Sequence, residues 1–514
     1  MPKNLLANIS YFAINIVIGL VLVPYFISTL GVAAYGLIPL ATSITGYVGI
    51  VVQSLNTSVS RFLTIDLQRE DYPAANKTFN TAILGISSII ALMVPVIIVA
   101  AFFIPRLFNV PAGQEQDTIF LFLGVFAAFL ISAWSGNFTV QLFAYNRLDL
   151  QNLVSATNII VSATLIFISF HYYGPSLVFV GLAYVIGATA ASVLSIILAK
   201  RVCPGLKLSF RSFDYDKLKA MGNMGMWSMV NQMGTLLFLQ IDLIVVNTLF
   251  GAASAGQYAV ILMWATLLRT IANTIAGVLT PVVFTNYAKG NIDALIKVTN
   301  SAVRLMGIFL ALPIGLICGL APQILTIWVG EKFVFLAPLL VLMAIHLTIN
   351  LSVLPLFSVN VAYNKIQVPG ILTLLMGGLN IALAFSIPLM FGAGFYGVAL
   401  AGAIVLTLKN AVFTPWYAAR VMGIDGLTFT RSVITGLVPT VIVAAASAVT
   451  GLYINIASMT SLVLAVGILG LVYLILVWKL GLTAFERELF RSYLPKNLRR
   501  SALSKSIAGI IRMR

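Results

Sequence analysis

The chain has 514 residues, of which 60% are hydrophobic and only 9% are charged, and its mean hydropathy is +1.04. Soluble globular proteins carry about 25% charged residues, so this composition excludes a soluble domain and predicts a membrane protein with many spans. The net charge of +16 would indicate nucleic-acid binding in a soluble protein, but the placement of the charges gives it another meaning here.

Fourteen hydrophobic stretches are long enough to cross a bilayer, which takes about 20 residues of helix. The first stretch is too long for a signal peptide and lacks a small-residue cleavage site. The predicted spans are approximately 5–30, 36–60, 78–104, 118–144, 149–170, 176–200, 222–249, 257–284, 300–326, 334–362, 369–391, 396–420, 432–455 and 459–480.

Lysine and arginine orient these spans, because basic residues accumulate in cytoplasmic connections. With the N-terminus inside, 26 of the 30 basic residues fall in inside connections or in the C-terminal tail. Only Arg106 and Lys332 fall outside, while Arg269 and Lys409 lie within spans. Both termini are therefore predicted to be cytoplasmic. The high net charge is explained by topology, so no nucleic-acid partner is expected.

The second half of the chain repeats the first. GVAAYG at 31–36 recurs as GAASAG at 251–256, an offset of 220, and AYNR at 144–147 recurs as AYNK at 362–365, an offset of 218. At the first offset Arg69 also matches Lys289, and Asn80 matches Asn300. Six spans separate the copies, an even number, so the copies run in the same direction through the membrane. This predicts parallel repeats related by an axis along the membrane normal.

The predicted fold is an all-α polytopic membrane protein with about fourteen transmembrane helices. Two parallel six-helix lobes form a V-shaped exporter architecture, and two further helices follow. The domain bounds are 1–220 for the first lobe, 221–431 for the second lobe, 432–481 for the last two spans and 482–514 for a basic cytoplasmic tail. That tail either rests on anionic lipid or is simply solvated.

Charged residues within the spans mark the candidate site, because a charge in the bilayer costs at least a few kcal/mol. They are Asp242, Arg269 and Lys409, and the titratable His346 joins them. All four lie in the second lobe; Leu22 stands at the position equivalent to Asp242 and Gly49 at that of Arg269. A charge that the first copy lacks is not required by the fold itself.

Their depths can be estimated from the rise of about 1.5 Å per residue. Arg269, His346 and Lys409 each lie 12 or 13 residues from the outer start of their spans, at a common level near the midplane. Two interpretations remain open. Arg269 and Asp242 form a structural ion pair, or Arg269 faces an anionic ligand while Asp242 couples a cation. His346 is either a site residue or a hydrogen-bonded packing residue.

The sequence resembles a known family over essentially the whole chain. The resemblance is carried by TLGVAAYG leading into LATSITGYVGIVVQSLNTSVSRFL, by LKLSFRSFDYDKLKAMG, and by DLIVVNTLFGAASAGQYAV. These segments resemble the polysaccharide transporters of the multidrug/oligosaccharidyl-lipid/polysaccharide exporter superfamily, the O-antigen type flippases. Fourteen spans in a six-plus-six-plus-two arrangement are similar to that branch and to the lipid II flippase, whereas multidrug extruders of the superfamily usually have twelve.

The resemblance implies a flippase that moves an undecaprenyl-pyrophosphate-linked oligosaccharide from the inner to the outer leaflet of the bacterial inner membrane by alternating access. An ion gradient, the membrane potential or substrate supply would drive it. Arg269 and Lys409 would bind the pyrophosphate, because guanidinium and ammonium groups bind phosphate, and Asp242 and His346 would couple an ion or act as counter-ions. The residues assigned to the sugar are Asn8, Tyr11, Asn15, Gln53, Asn137, Gln141, Asn231 and Asn273.

The last two spans would offer a groove for the lipid tail, and polysaccharide polymerase or chain-length machinery is a candidate partner. No cofactor and no metal are expected, because Cys203 and Cys318 have no ligand spacing. Two alternatives stay open. One is a multidrug or cation antiporter, although the first span lacks the acidic residue that such extruders often use. The other is a membrane enzyme or scramblase of polysaccharide assembly; an enzyme is disfavoured because the longest outer connection, 105–117, is short.

Overall fold

The computed structural model describes residues 2–209, 212–483 and 485–487, and these residues form helices and connections with no β-strand. Long apolar helices fill nearly all of this sequence, as its composition predicts. The helices are α1 Pro2–Leu30, α2 Val32–Gln68, α3 Tyr72–Leu107, α4 Glu115–Ala144, α5 Leu148–Tyr173, α6 Leu177–Val202, α7 Tyr215–Leu239, α8 Ile241–Ala288, α9 Ile292–Gly319, α10 Ala321–Val329, α11 Ala337–Ile345, α12 Leu347–Ser352, α13 Leu354–Ala362, α14 Gln367–Phe391, α15 Gly394–Leu408, α16 Thr414–Met422, α17 Thr430–Ile434, α18 Leu437–Tyr453 and α19 Met459–Leu476.

Thirteen helical segments in the described part of the chain are long and apolar enough to cross a membrane. The count falls one short of fourteen because Gln232–Gly277 is counted as one segment, without a loop inside it, and covers two predicted spans. A straight helix of 46 residues would be about 69 Å long, more than twice the roughly 30 Å of a bilayer core. The backbone of Gly251 is not helical, with φ 86° and ψ 174°, and it divides the segment into two spans.

The sequence repeat is also a repeat of backbone conformation. Gly31, between α1 and α2, has φ 85° and ψ 162°, nearly the values of Gly251. Only glycine adopts such angles readily, which explains why both copies place glycine there. Asn146 and Asn364, in the two AYN motifs, both have φ 54°. The repeated sequence motifs therefore form turns of the same conformation.

Side-chain hydrogen bonds at the helix ends recur as well. The Asp71 carboxylate accepts from the Ala74 N–H at 3.0 Å, and the Asn291 amide oxygen, 220 residues later, accepts from the Ala294 N–H at 2.9 Å. Such N-caps accept from backbone N–H groups of the first helical turn that have no hydrogen-bond partner within the helix. Asp71 thus begins α3 in the way that Asn291 begins α9.

The helices pack into two units. The first unit comprises Met1–Leu267, Trp328–Met343 and Lys365–Lys409, and the second comprises Leu268–Ile327, Ala344–Asn364 and Asn410–Arg514. In the first unit α4 packs against α2, α5 and α6, and α7 packs against α2 and α14. In the second unit α9 packs against α12, α17 and α18. These packing units differ from the two repeat lobes, whose bounds at 220 and 431 remain a prediction.

Candidate functional site

The four candidate charges divide between the packing units. Asp242 and Lys409 belong to the first unit, and Arg269 and His346 belong to the second. Asp242 begins α8 directly after a break at Gln240, His346 lies between α11 and α12, and Lys409 begins a π-helical turn, Lys409–Phe413. Breaks and π turns inside helices are frequent at functional sites. Arg269, by contrast, lies within an uninterrupted stretch of α8.

Asp242 is the carboxylate of a buried polar cluster in the first unit. Its side chain is only 8% exposed, and its Oδ2 accepts a hydrogen bond of 3.0 Å from the hydroxyl of Tyr258, which is fully buried. Gly402 on α15 lies opposite: a Cβ at that glycine would stand 3.7 Å from Asp242 Oδ2 and 3.8 Å from Asn380 Oδ1. The carboxylate and the amide oxygen therefore converge on the same small surface.

Asn380 is held in place by the helix break. Its Nδ2 donates to the backbone carbonyl of Leu237 at 3.2 Å, and its buried Oδ1 has no hydrogen-bond partner among the described residues. The hydroxyl of Tyr47 on α2 donates to the neighbouring carbonyl of Leu236 at 3.3 Å. Carboxylate, amide and hydroxyl oxygens are the ligands that hard cations prefer. The cluster is thus chemically suited to a proton or a small hard cation.

No group of three or more His, Cys, Asp or Glu side chains that could hold a metal ion occurs in the described part of the chain. Cys203 and Cys318 are both buried free thiols. Among the described residues the Asp242 cluster contains one carboxylate, so its charge matches a monovalent cation better than a divalent one.

Lys409 is 7% exposed, and its Nζ lies 5.9 Å from the centre of the Phe238 ring. The π turn that begins at Lys409 has a local cause in Pro415, which stands in the first turn of α16. Proline has no N–H, and its ring collides with the carbonyl four residues earlier in a regular α-helix. The widened turn avoids this collision.

His346 belongs to a buried amide network of the second unit. Its Nδ1 lies 2.7 Å from Asn350 Nδ2, and the Asn350 carbonyl accepts from Asn410 Nδ2 at 3.3 Å. Arg269 is half-buried and lies close enough to His346 for an electrostatic interaction between the two side chains. The structure thus brings together Arg269 and His346, which the sequence predicts at one depth. Asn273, one turn further along α8, is exposed.

The residues predicted for the sugar have three kinds of surroundings. Asn8, Asn15 and Gln53 are exposed and Tyr11 is half-buried, and the Asn8 side chain is hydrogen-bonded by Asn152 of α5. Asn137 and Gln141 are buried on α4, where Asn137 donates to the Trp134 carbonyl at 3.0 Å. The side chain of Asn231 lies outside the described residues. The sugar-binding role of these residues stays a prediction.

Sequence reasoning missed Tyr258, Asn380 and Gly402. None of them is charged, and Asn380 is separated from Asp242 by 138 residues, so no spacing pattern joins them. An isolated asparagine inside an apolar span was the one available signal. Pro415 could have indicated the irregular turn at Lys409, because a proline within a span disturbs the helix on its N-terminal side.

Comparisons with known proteins identify the family of the chain. Residues 2–286 match the family model described as polysaccharide biosynthesis protein. The chain is 33% identical over 486 residues to the uncharacterized membrane protein EpsK of Bacillus subtilis (strain 168), covering 95% of this chain and 96% of that protein.

Two solved structures show the same fold at low identity. An inward-facing multidrug resistance MATE family transporter of the MOP superfamily matches 83% of this chain and 94% of its own, with a TM-score of 0.62 and 14% identity. The lipid II flippase MurJ in an inward closed conformation matches 95% of this chain and 100% of its own, with a TM-score of 0.59 and 16% identity. The predicted exporter fold is confirmed. The chain is a multi-pass membrane protein that belongs to the polysaccharide biosynthesis protein family, and its fold is that of the MATE transporter and of the lipid II flippase MurJ.

Proposed function

We propose that this protein is a flippase that carries an undecaprenyl-pyrophosphate-linked oligosaccharide from the inner to the outer leaflet of a bacterial plasma membrane by alternating access. The observation that carries the proposal is the presence of two cations within the spans, Arg269 and Lys409, in a chain of the polysaccharide biosynthesis family. A polyprenyl pyrophosphate joins a dense anion to a long apolar chain. Its anion needs cationic ligands at a depth where lipid supplies none.

The two cations suit different parts of this ligand. A guanidinium group binds phosphate through two parallel hydrogen bonds, whereas an ammonium group acts as a point charge. Arg269 would orient the pyrophosphate, and Lys409 would contribute to neutralising it. His346 and its amide partner Asn350 lie in the same unit as Arg269 and would keep the surroundings of the guanidinium polar.

Asp242 would couple this movement to a cation gradient. The carboxylate accepts from Tyr258 and shares the Gly402 surface with Asn380 Oδ1, so oxygen ligands for a proton or sodium ion are already in place. Binding of a cation there would remove the cost of a buried negative charge, and the bound and free states would then favour different conformations.

The distribution of basic residues supports an orientation with both termini cytoplasmic. In that orientation the polymerase or chain-length machinery that uses the flipped oligosaccharide would meet the protein from the outer side. Neither catalysis nor a bound cofactor has a role in this proposal, because translocation makes and breaks no covalent bond.

A deletion strain tests the function in cells. Loss of the gene should abolish the surface polysaccharide and accumulate the lipid-linked oligosaccharide, and the wild-type gene should restore export whereas an Arg269→Gln gene should not. Normal surface polysaccharide in the deletion strain would contradict the proposal.

The same strain tests the antiporter alternative, which the buried Asp242 carboxylate favours. The flippase proposal predicts unchanged susceptibility to cationic drugs in the deletion strain. Increased susceptibility, restored by the wild-type gene but not by Asp242→Asn, would favour a drug antiporter instead.

A further inference from the structure

A cavity lies away from the candidate charges, at the ends of α3, α4 and α6 that the basic residues assign to the cytoplasmic side. Its volume is about 380 Å³, enough for a small polar headgroup. It lies entirely within the first unit. Gln141, predicted above to bind the sugar, lines it, whereas the residues proposed to bind the pyrophosphate or to couple a cation do not. The lining residues are Phe79, Phe138, Gln141, Lys200, Pro204, Leu206, Lys207 and Leu208.

The apolar wall of this cavity is rigid. Phe79 and Phe138 are both almost completely buried, and their rings meet edge to face with centres 5.5 Å apart. They belong to one hydrophobic cluster with Cys203 and Leu206. Close-packed aromatic side chains of this kind hold a fixed surface.

The segment that follows α6 closes the cavity, and two asparagines one turn apart on α3 fix it. Asn76 accepts from the Lys207 N–H at 2.8 Å and donates to the Gly205 carbonyl at 3.0 Å. Asn80 donates to the Lys207 carbonyl at 2.8 Å and accepts from the Ser209 N–H at 2.7 Å. The N–H and the carbonyl of Lys207 are therefore both hydrogen-bonded, which fixes the backbone of Lys207 beside the cavity.

Gln141 supplies the polar group of the interior. It is 2% exposed and lines the cavity. A side-chain amide offers both a donor and an acceptor, so Gln141 can form hydrogen bonds with a polar ligand in the cavity.

Two exposed lysines, Lys200 and Lys207, supply the charge. Neither forms an ion pair within the described ranges, while two nearby carboxylates are already used: Asp214 pairs with Lys77 at 3.4 Å and Asp66 with Lys217 at 3.0 Å. Ammonium groups bind phosphate as point charges. The cavity therefore combines two cations, one amide and an apolar wall.

We propose that this cavity is a binding site for the phosphate headgroup of a lipid in the cytoplasmic leaflet, with Lys200 and Lys207 on the phosphate and Gln141 on a neighbouring polar oxygen. The apolar wall would contact the hydrophobic part of the ligand. Two sources share this chemistry, a resident anionic phospholipid and a polyprenyl phosphate on its way to translocation. The site goes beyond the proposed function, since binding here requires no transport.

Native mass spectrometry of the detergent-purified full chain tests the site with three probes. Dioleoylphosphatidylglycerol and undecaprenyl phosphate represent the two sources, and dioleoylglycerol lacks the phosphate. The variants are Lys200→Gln with Lys207→Gln, which removes both charges, and Gln141→Met, which keeps the volume of the side chain. The matched control is Lys219→Gln with Lys289→Gln, two exposed lysines that do not line the cavity.

At least one phosphate-bearing probe should bind the wild type and the control equally, and the probe that binds identifies the source. Each cavity variant should weaken that binding roughly tenfold, as expected for loss of charge-assisted hydrogen bonds, and dioleoylglycerol should not be retained. Binding unchanged in both cavity variants, or weakened equally in the control, would overturn the proposal. Equal retention of dioleoylglycerol would overturn it as well. The two tests are independent: a negative binding result here would not change the export experiment in the deletion strain, which tests the flippase proposal.

Discussion

At the scale of single residues, Asp242 and Arg269 have different surroundings although both carry charge inside a span. Asp242 is 8% exposed and receives the Tyr258 hydroxyl at 3.0 Å, whereas Arg269 is half-buried and has Asn273 exposed one turn away. A buried carboxylate with oxygen neighbours suits a bound cation. A more open guanidinium suits an anionic ligand that enters and leaves.

Replacing Arg269 separates charge from geometry. Arg269→Lys keeps the charge but loses the two parallel hydrogen bonds, and Arg269→Gln loses both. We expect transport at low substrate concentration in reconstituted vesicles to fall about tenfold for lysine and about a hundredfold for glutamine, since a bidentate charged contact contributes roughly 1.5–3 kcal/mol. Lysine and glutamine variants that both transport like the wild type would show that Arg269 does not bind the substrate.

Replacing Asp242 tests the coupling. The asparagine in Asp242→Asn has nearly the same shape as aspartate, but it carries no negative charge and cannot bind and release a cation. The stimulation of transport by an imposed sodium or proton gradient should therefore be lost. Asn380→Leu should reduce the stimulation less, because it removes one neutral oxygen. The measurement is the ratio of initial rates with and without the gradient. A ratio in Asp242→Asn equal to that of the wild type would refute the coupling role.

At the scale of helices, the site depends on departures from regular α-helix. Next to the break at Gln240, the carbonyls of Leu236 and Leu237 accept from Tyr47 and Asn380. The Leu236 carbonyl also keeps its helical hydrogen bond from the Gln240 N–H, at 2.9 Å. Helix irregularity thus builds part of the polar cluster around Asp242 from main-chain atoms.

The start of α7 provides a pH-dependent test outside the spans. Asp214 caps this helix, accepting from the N–H groups of Asp216 and Lys217 and pairing with Lys77. The Lys217 N–H and the Lys77 ammonium lower the pKa of the Asp214 carboxyl below its ordinary 3.8. A lowered pKa stabilises the folded state above the ordinary value, and this contribution is lost as the pH falls through the lowered one.

The thermal midpoint of Asp214→Ala should therefore lie below that of the wild type at pH 7, and the difference should shrink as the pH is lowered below about 3.8. Asp214→Asn, which retains a capping side chain, should lie between the two at pH 7. The midpoints are measured in detergent between pH 3 and pH 7. A difference between wild type and Asp214→Ala that stays constant over this range would contradict the explanation.

At the scale of the whole molecule, much of the fold follows from local patterns in the sequence. The turns at Gly31 and Gly251 and at Asn146 and Asn364 could be predicted because their conformations depend on the residue itself. The spans could be predicted because bilayer thickness fixes their length. Only the merged segment Gln232–Gly277 differs, since the bend at Gly251 interrupts the helix without a loop.

The site could be predicted only in part. Charge inside a span marked Asp242, Arg269 and Lys409, because charge is costly there whatever the neighbours are. The partners Tyr258 and Asn380 come from contacts between helices far apart in sequence, which the pattern of one chain does not contain. The break at His346 likewise has no proline or glycine next to it to announce it.

Close contacts within the first unit join the two copies of the repeat at the predicted outer side. A Cβ at Gly36 would lie 2.6 Å from the backbone nitrogen of Gly256, so α2 and α8 cross in direct backbone contact. Nearby, Asn109 donates to the Asn247 carbonyl at 2.7 Å, and Asn247 Nδ2 donates to the Asn109 carbonyl at 3.2 Å. Alternating access requires such an outer contact to separate during each cycle.

A reversible cross-link tests that requirement. In a chain with Cys203→Ala and Cys318→Ala, the pair Asn109→Cys and Asn247→Cys should form a disulfide on oxidation, because reciprocal hydrogen bonds hold the two residues close together and a disulfide needs about 4.4–6.8 Å between Cα atoms. Oxidation should stop transport and reduction should restore it. Each single cysteine variant is the control. Undiminished transport in the fully cross-linked protein would exclude an opening at this contact.

Movement of a lipid-linked oligosaccharide by the purified protein in vesicles tests the central claim most directly. The oligosaccharide is placed in one leaflet, and its arrival in the other is followed by the accessibility of the sugar to a lectin or glycosidase that does not cross the membrane. We predict rapid arrival with the wild type, slow arrival in protein-free vesicles, and a rate near the protein-free level with Arg269→Gln. Equal rates in vesicles with and without the wild-type protein, under an imposed cation gradient of either direction, would contradict the account.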